Sequence, residues 1–226
     1  MQLAIDTSTD VAGLAITQGG KALVELSWYC RQNHSTELLP RLASLLKQNK
    51  LDIGSAAGII VAKGPGSYNG LRVGISTAKA LAFSLGIPVV GISTLEAEAY
   101  RFAGVGLPVC PVLSAGRAAI ATALYQGVGN EWRQLLPEHL TTLDALCRTI
   151  DTRTVFCGEF LPLVAAGLKE QLGEKAVMPS DGAILPRIRF LAELGIRRLK
   201  AGDYDDAATL QPLYLRQPHI TQPRGK

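Results

Sequence analysis

At 226 residues, 47% hydrophobic and 19% charged, the chain has a globular composition with room for one large or two modest cores, which excludes disordered and fibrous classes. A formal net charge of +4 permits contact with a polyanion without requiring it. The basic residues gather toward the C-terminus (Arg187, Arg189, Arg197, Arg198, Lys200, then Arg216, Arg224 and Lys226), and without interleaved aromatic residues they read as a solvated face.

The elements alternate in kind along the chain. Leu3–Asp6 and Val11–Thr17 flank the turn Thr7-Ser8-Thr9-Asp10 and read as a hairpin; after Gly19-Gly20, Lys21–Tyr29 adds a third strand to the meander. From Ser35 or Thr36 to Lys47 a helix is expected, with Glu37 in its first turn and leucines 38, 39, 42, 45 and 46 at helical spacing. Ile59–Ala62 is a continuously apolar strand of the kind found inside a parallel sheet. The glycine loop Gly64-Pro65-Gly66-Ser67-Tyr68-Asn69-Gly70 leads from it into a helix over Leu71–Leu85, which stops at Gly86 before Pro88. A strand at Val89–Ile92 and a helix at Thr94–Phe102 complete a mixed five-stranded sheet.

Gly104–Pro108 reads as a linker. Strands at Val109–Leu113, Ala118–Gly127 and Glu131–Leu136, a helix at Leu143–Ile150, a strand at Val155–Cys157 and a helix at Leu161–Leu172 then repeat the first rhythm. A last helix is expected over Ile184–Lys200, then an extended Gln211–Arg216 and a tail from Gln217. Two α/β units follow: residues 1–103, completed by the segment 207–217, and a smaller unit over 108–203.

The glycine loop sits where a phosphate cradle would, but lacks what phosphate chemistry needs. A Walker A loop ends in Gly-Lys-Ser/Thr, whereas Gly70 is followed by Leu71 and Arg72; a dinucleotide fingerprint would place its third glycine where Asn69 stands. Asp6, at the end of the first strand, has two readings: a carboxylate that holds a metal or activates water, or a turn aspartate that accepts backbone N–H groups. The corresponding turn of the second unit, Leu113-Ser114-Ala115-Gly116-Arg117, has no acidic residue, so a nucleotide clamp would have one jaw. His34, His139 and His219 have no metal-binding spacing, and the four cysteines (Cys30, Cys110, Cys147, Cys157), without a Cys-x-x-Cys pair, read as reduced, mostly buried thiols. A hydrolase built from Ser67, His34 and Asp6 is conceivable, although Ser67 lacks the Gly-x-Ser-x-Gly elbow. Met1–Asp6 has no cationic n-region and no apolar run could span a bilayer, so a cytoplasmic address without membrane contact is expected.

Ala4-Ile5-Asp6-Thr7-Ser8-Thr9, His34-Ser35-x-Glu37-Leu38-Leu39-Pro40, the glycine loop through Leu71-Arg72-Val73-Gly74, and Leu213-Tyr214-Leu215-Arg216 together resemble the TsaB (YeaZ) family. The chain departs from that family's usual motifs at Tyr68-Asn69, where Phe-Thr is common, and at Ser114-Ala115-Gly116-Arg117. The resemblance implies an actin-like, ASKHA (ribonuclease H-like) fold of two related domains, the second reduced. It also implies a non-catalytic scaffold in the synthesis of N6-threonylcarbamoyladenosine (t6A) at position 37 of tRNAs reading ANN codons. TsaD is the implied partner, TsaE joins through the TsaB–TsaD pair, tRNA is met through the complex, and the chain alone forms a homodimer. No cofactor is expected to bind tightly, ATP being used by the wider complex. The two leucine- and alanine-rich helices offer the expected partner surface, through Leu38, Leu39, Leu42, Leu46, Leu71, Arg72, Ile75 and Ala78. The competing reading is an ATP-dependent enzyme of the same fold, with Asp6 on magnesium and the glycine loop near phosphate.

Overall fold

Apolar residues on both faces of the central strands require cover on both sides, and the chain supplies it twice. The computed structural model describes residues 1–116, 118–129, 131–179 and 186–216. Arg117 of the second turn, the expected helix start at Ile184, His219 and the chain from Gln217 lie outside the described residues.

The first lobe comprises β1 (Gln2–Asp6), β2 (Val11–Gln18), β3 (Lys21–Tyr29), α1 (His34–Gln48), β4 (Ile59–Gly64), α2 (Tyr68–Leu85), β5 (Val89–Ser93) and α3 (Thr94–Tyr100). The second has β6 (Val109–Ser114), β7 (Ile120–Val128), β8 (Glu131–Thr141), α4 (Leu143–Thr149), β9 (Thr154–Cys157), α5 (Leu161–Leu172), β10 (Ala176–Val177) and α6 (Ile188–Lys200). The sheet orders are β3-β2-β1-β4-β5 and β10-β9-β6-β7-β8. Aligned as β8-β7-β6-β9-β10, the second repeats the first, with an antiparallel meander followed by two parallel additions. The repeat of rhythm in the sequence is thus a repeat of topology, and the fold is the α/β, actin-like one expected.

Alternation within the strands decides which helix covers which face. Leu3 and Ile5 of β1 and Ile59 and Val61 of β4 join Leu38, Leu42 and Leu45 of α1 and Ile75 and Ala78 of α2 in one core. Ala4, Ala15, Ile60 and Ala62 point to the other face and pack against Ile188, Leu191, Leu194 and Ile196 of α6. Alanines on that face let α6 lie close, and a methyl group added at Gly195 would overlap the Ile60 side chain. The third helix of the first lobe also reaches across: Leu95 and Ala99 of α3 pack with Val109, Leu113 and Tyr125 of the second sheet. Residues 188–200, read from the sequence as part of the second unit, therefore cover the first sheet. Helical spacing marks a helix as amphipathic but does not say which sheet it meets. The segment after α6 also returns to the first lobe: the Asp205 N–H donates to the Val89 carbonyl (2.9 Å), Leu213 N–H to the Lys63 carbonyl (2.6 Å), and Leu210 is buried.

All four cysteines are free and buried. Burial pushes the Cys110 thiol up to about 12, against a weaker opposing hydrogen bond with Thr122, and Cys157 also lies well above the usual thiol range. Neither thiol should react with iodoacetamide in the native protein at pH 8, while both should react in urea, as read by mass spectrometry. Leu191→Ala should cost about 2–5 kcal/mol in urea unfolding, since Leu191 is completely buried between α6 and the first sheet.

Candidate functional site

Four turns at the ends of parallel-paired strands face each other across the boundary between the lobes: the turn after β1, the loop between β4 and α2, the turn after β6, and the link from β9 to α5. They line a cavity of about 410 Å³ that includes Ser8, Thr9, Asp10, Ser67, Ser114 and Glu159.

Asp6, at the end of β1, is buried and does not line this cavity. Its Oδ1 accepts from the Ser8 N–H (2.9 Å) and Ser8 Oγ (2.6 Å), and its Oδ2 accepts from Arg187 Nε (2.7 Å). The turn reading of Asp6 is realised through Ser8, while its other carboxylate oxygen, where the second reading would place a metal or a water, meets a guanidinium. Arg187 Nη1 also donates to Glu159 Oε1 (2.6 Å) and Glu98 Oε2 (3.4 Å), and Nη2 to Thr9 Oγ1 (2.6 Å) and Ser8 Oγ (3.2 Å). Burial alone would depress the Arg187 pKa; Asp6, Glu159 and Glu98 together outweigh it and hold the guanidinium still more firmly charged. The guanidinium stands between the carboxylates, and among the described residues no three His, Cys, Asp or Glu side chains are grouped as a metal ion would need.

The glycine loop is spent on internal packing. The Ser67 N–H donates to the Ser8 carbonyl (2.7 Å), and Thr7 Oγ1 donates to the Gly70 carbonyl (2.7 Å). A methyl group at Gly66 would overlap the Ser8 carbonyl and one at Gly70 the Thr7 carbonyl, so these two glycines exist to let the loop lie against the β1 turn. Gly64 and Pro65 are buried beside Leu71 and the Leu213 backbone. Ser67 Oγ caps α2 by accepting from the Gly70 N–H (3.3 Å), which starts that helix at Tyr68, three residues before the apolar spacing marks it. His34 Nε2 bonds the Thr9 carbonyl (2.9 Å) instead of Ser67, and Asp6 is committed to Arg187 and Ser8. The serine hydrolase arrangement is therefore not assembled. The loop N–H groups of Ser67 and Gly70, which a phosphate would require, already have partners.

The helix pair α1–α2 corrects the expected surface. Leu38, Leu42, Leu71, Ile75 and Ala78 are at most 4% exposed, spent on the chain's own core because these positions face the sheet. Leu46 is half-buried, while Leu39 (54%) and Arg72 are exposed, Arg72 lying over the Tyr68 ring. Arg72, Ser76, Ala80 and Phe83 are exposed at helical spacing along α2, Phe83 at 86%, and Leu39 and Ala43 are exposed four residues apart on α1.

Sequence reasoning missed Arg187, Glu98 and Glu159. Arg187 is hidden in a basic series that reads as solvated, and Glu159 has no motif around it. Glu98 did carry a signal, a carboxylate between Ala97 and Ala99 on a short helix that also holds Leu95 and a second carboxylate, Glu96.

The family model described as "TsaD: tRNA N6-adenosine threonylcarbamoyltransferase" matches residues 29–155. The tRNA threonylcarbamoyladenosine biosynthesis protein TsaB of Bacillus subtilis is 33% identical over 220 residues, covering 95% of this chain and 93% of its own. A crystal structure described as a protein with similarity to peptidase YeaZ from Pseudomonas aeruginosa superposes with a TM-score of 0.82 at 25% identity, over 95% of this chain and 99% of that one. The activator of 2-hydroxyisocaproyl-CoA dehydratase from Clostridium difficile, solved with bound ADPNP, shares the fold alone, with a TM-score of 0.52 at 10% identity over 88% of this chain and 95% of its own.

Glu98 offers a pH test of the cleft. Burial raises its pKa, against the opposing pull of Arg187 and Arg101, so the native state holds this proton more tightly than the unfolded chain does. The group's contribution to stability is present below the unfolded value of about 4.3 and is lost as pH rises toward the raised native value. Glu98→Gln should therefore gain stability relative to wild type between pH 4 and 7 in urea unfolding; parallel pH curves would contradict it.

Proposed function

The chain belongs to the TsaB (YeaZ) family, and from that membership we propose that it serves t6A biosynthesis as a non-catalytic subunit that binds TsaD. TsaE joins through that pair, tRNA is met through the complex, ATP is consumed by the wider assembly without binding tightly to this chain, and the free protein is a homodimer in the cytoplasm. Among the described residues no helix is long and apolar enough to cross a membrane, which is compatible with that address.

The observation that carries the scaffold reading is the internal neutralisation of Asp6 by Arg187. An enzyme with Asp6 on magnesium would have to exchange a guanidinium held by three carboxylates for the ion, and to release loop N–H groups already bonded within the chain. The peptidase description attached to the Pseudomonas structure finds no support in Ser67, whose hydroxyl caps a helix. The outer side of α1–α2 offers a mixed small and apolar surface through Leu39, Ala43, Arg72, Ser76, Ala80 and Phe83, suited to a second helix pair, whether of TsaD or of a second copy.

Leu39→Glu and Phe83→Glu should each leave stability within about 0.5 kcal/mol of wild type, because both side chains are exposed. Each should weaken association with TsaD at least tenfold, measured by light scattering on size exclusion and by calorimetry. Leu42→Glu and Ile75→Glu should fail to fold. Undiminished TsaD binding by the folded variants, or ATP turnover by the isolated wild-type chain, would overturn the reading.

A further inference from the structure

The guanidinium of Arg187 joins groups from three places. Asp6 ends β1 and Ser8 and Thr9 belong to the turn that follows it, Glu98 lies on α3 between the sheets, and Glu159 stands on the second lobe's link from β9 to α5. A direct strut runs parallel to it, since Thr9 Oγ1 donates to the same Glu159 Oε1 at 2.7 Å. Arg101 adds a second positive charge beside Glu98 at 3.7 Å, so three carboxylates meet two guanidiniums. Arg187 and Glu98 are nearly inaccessible, and Glu159 keeps 20% of its side chain exposed.

The same short turn is the anchor for both outer helices. Its Thr9 carbonyl accepts from His34 at the start of α1, its Ser8 carbonyl accepts from the Ser67 N–H at the cap of α2, and its Thr7 hydroxyl donates to the Gly70 carbonyl in the first turn of α2. The glycine contacts leave no slack, because loop and turn are already at backbone contact. Any displacement of residues 6–9 therefore moves the starts of both helices.

We propose that Arg187 is a built-in clamp: a tethered cation that holds the two lobes closed from inside and, through the Asp6–Thr9 turn, positions the N-termini of α1 and α2. In a cleft of this kind a ligand placed between the lobes can bridge them; here the bridge is covalently part of the chain and always charged, so closure needs no ligand. Arg187 is a positioning residue, acting on the outer helices through a turn that it grips by Asp6, Ser8 and Thr9. Its consequence for partner affinity rests on the docking reading of the preceding section, but the clamp itself does not.

The test is amide hydrogen exchange by mass spectrometry on full-length wild type and Glu159→Gln, which removes the second lobe's charge while leaving Arg187 paired with Asp6 and Glu98. Exchange should quicken at least tenfold in peptides covering residues 6–10, 34–38 and 67–72, with α4 unchanged as the internal control. Thr9→Val, which removes the parallel strut together with the Arg187 Nη2 bond to Thr9, should move the same three segments. Faster exchange confined to residues 157–161 and 186–189, or a uniform rise that includes α4, would overturn the proposal, since a local or a merely stabilising role gives those patterns. TsaD affinity, measured on the same variant, should fall at least threefold although no residue of the Leu39–Phe83 surface is altered; unchanged affinity together with quickened helix starts would uphold the clamp and count against docking on that surface.

Discussion

A buried positive charge has to be answered, and the answer organises this molecule. Arg187 is withdrawn from water with three carboxylates around it, and such a network is costly to form and more costly to break at its centre, because removing the guanidinium would leave buried carboxylates uncompensated at about 3–5 kcal/mol. The carboxylates come from both lobes and from the helix between them, so the charge can be satisfied only when the whole tertiary arrangement is in place. This makes the network a statement about specificity of arrangement more than about net stability.

The duplicated topology explains why the partners can converge. Each lobe ends in a third helix, α3 in the first and α6 in the second, and each lies in the space between the two sheets. Leu191 and Ile196 of α6 seal the first sheet, and Leu95 and Ala99 of α3 seal the second. Arg187 immediately precedes α6 and Glu98 lies on α3, so the exchange of helices brings charges separated by about ninety residues of sequence into contact at 3.4 Å. The lobes share a core as well as a cleft.

The glycine loop shows the same framework packed against the chain's own backbone. In a phosphate site, glycines remove side chains so that the backbone can approach an anion. Here Gly66 and Gly70 remove side chains so that the backbone can approach another backbone, and the N–H groups of Ser67 and Gly70 bond a carbonyl and a hydroxyl of the chain itself. The residues that look most like chemistry are thereby fixing the seats of α1 and α2, whose outer faces carry Leu39 and Phe83.

The sequence by itself determined the elements and their periodicity: the continuous apolar run of β4, the meanders on either side of the linker, the leucines of α1, and a glycine loop missing the lysine that phosphate needs. It also carried the family motifs, since these are local strings. It did not determine which face of α1 and α2 is spent on the core, so Leu38, Leu42 and Ile75 looked as available as Leu39, and it did not assign α6 to the first sheet. Helical spacing defines a stripe, but only the packed sheet decides which stripe is covered. Arg187 was illegible for the same reason: in sequence it is one of several arginines, and its identity as the central charge comes from carboxylates at positions 6, 98 and 159 that only the closed tertiary structure brings to one point.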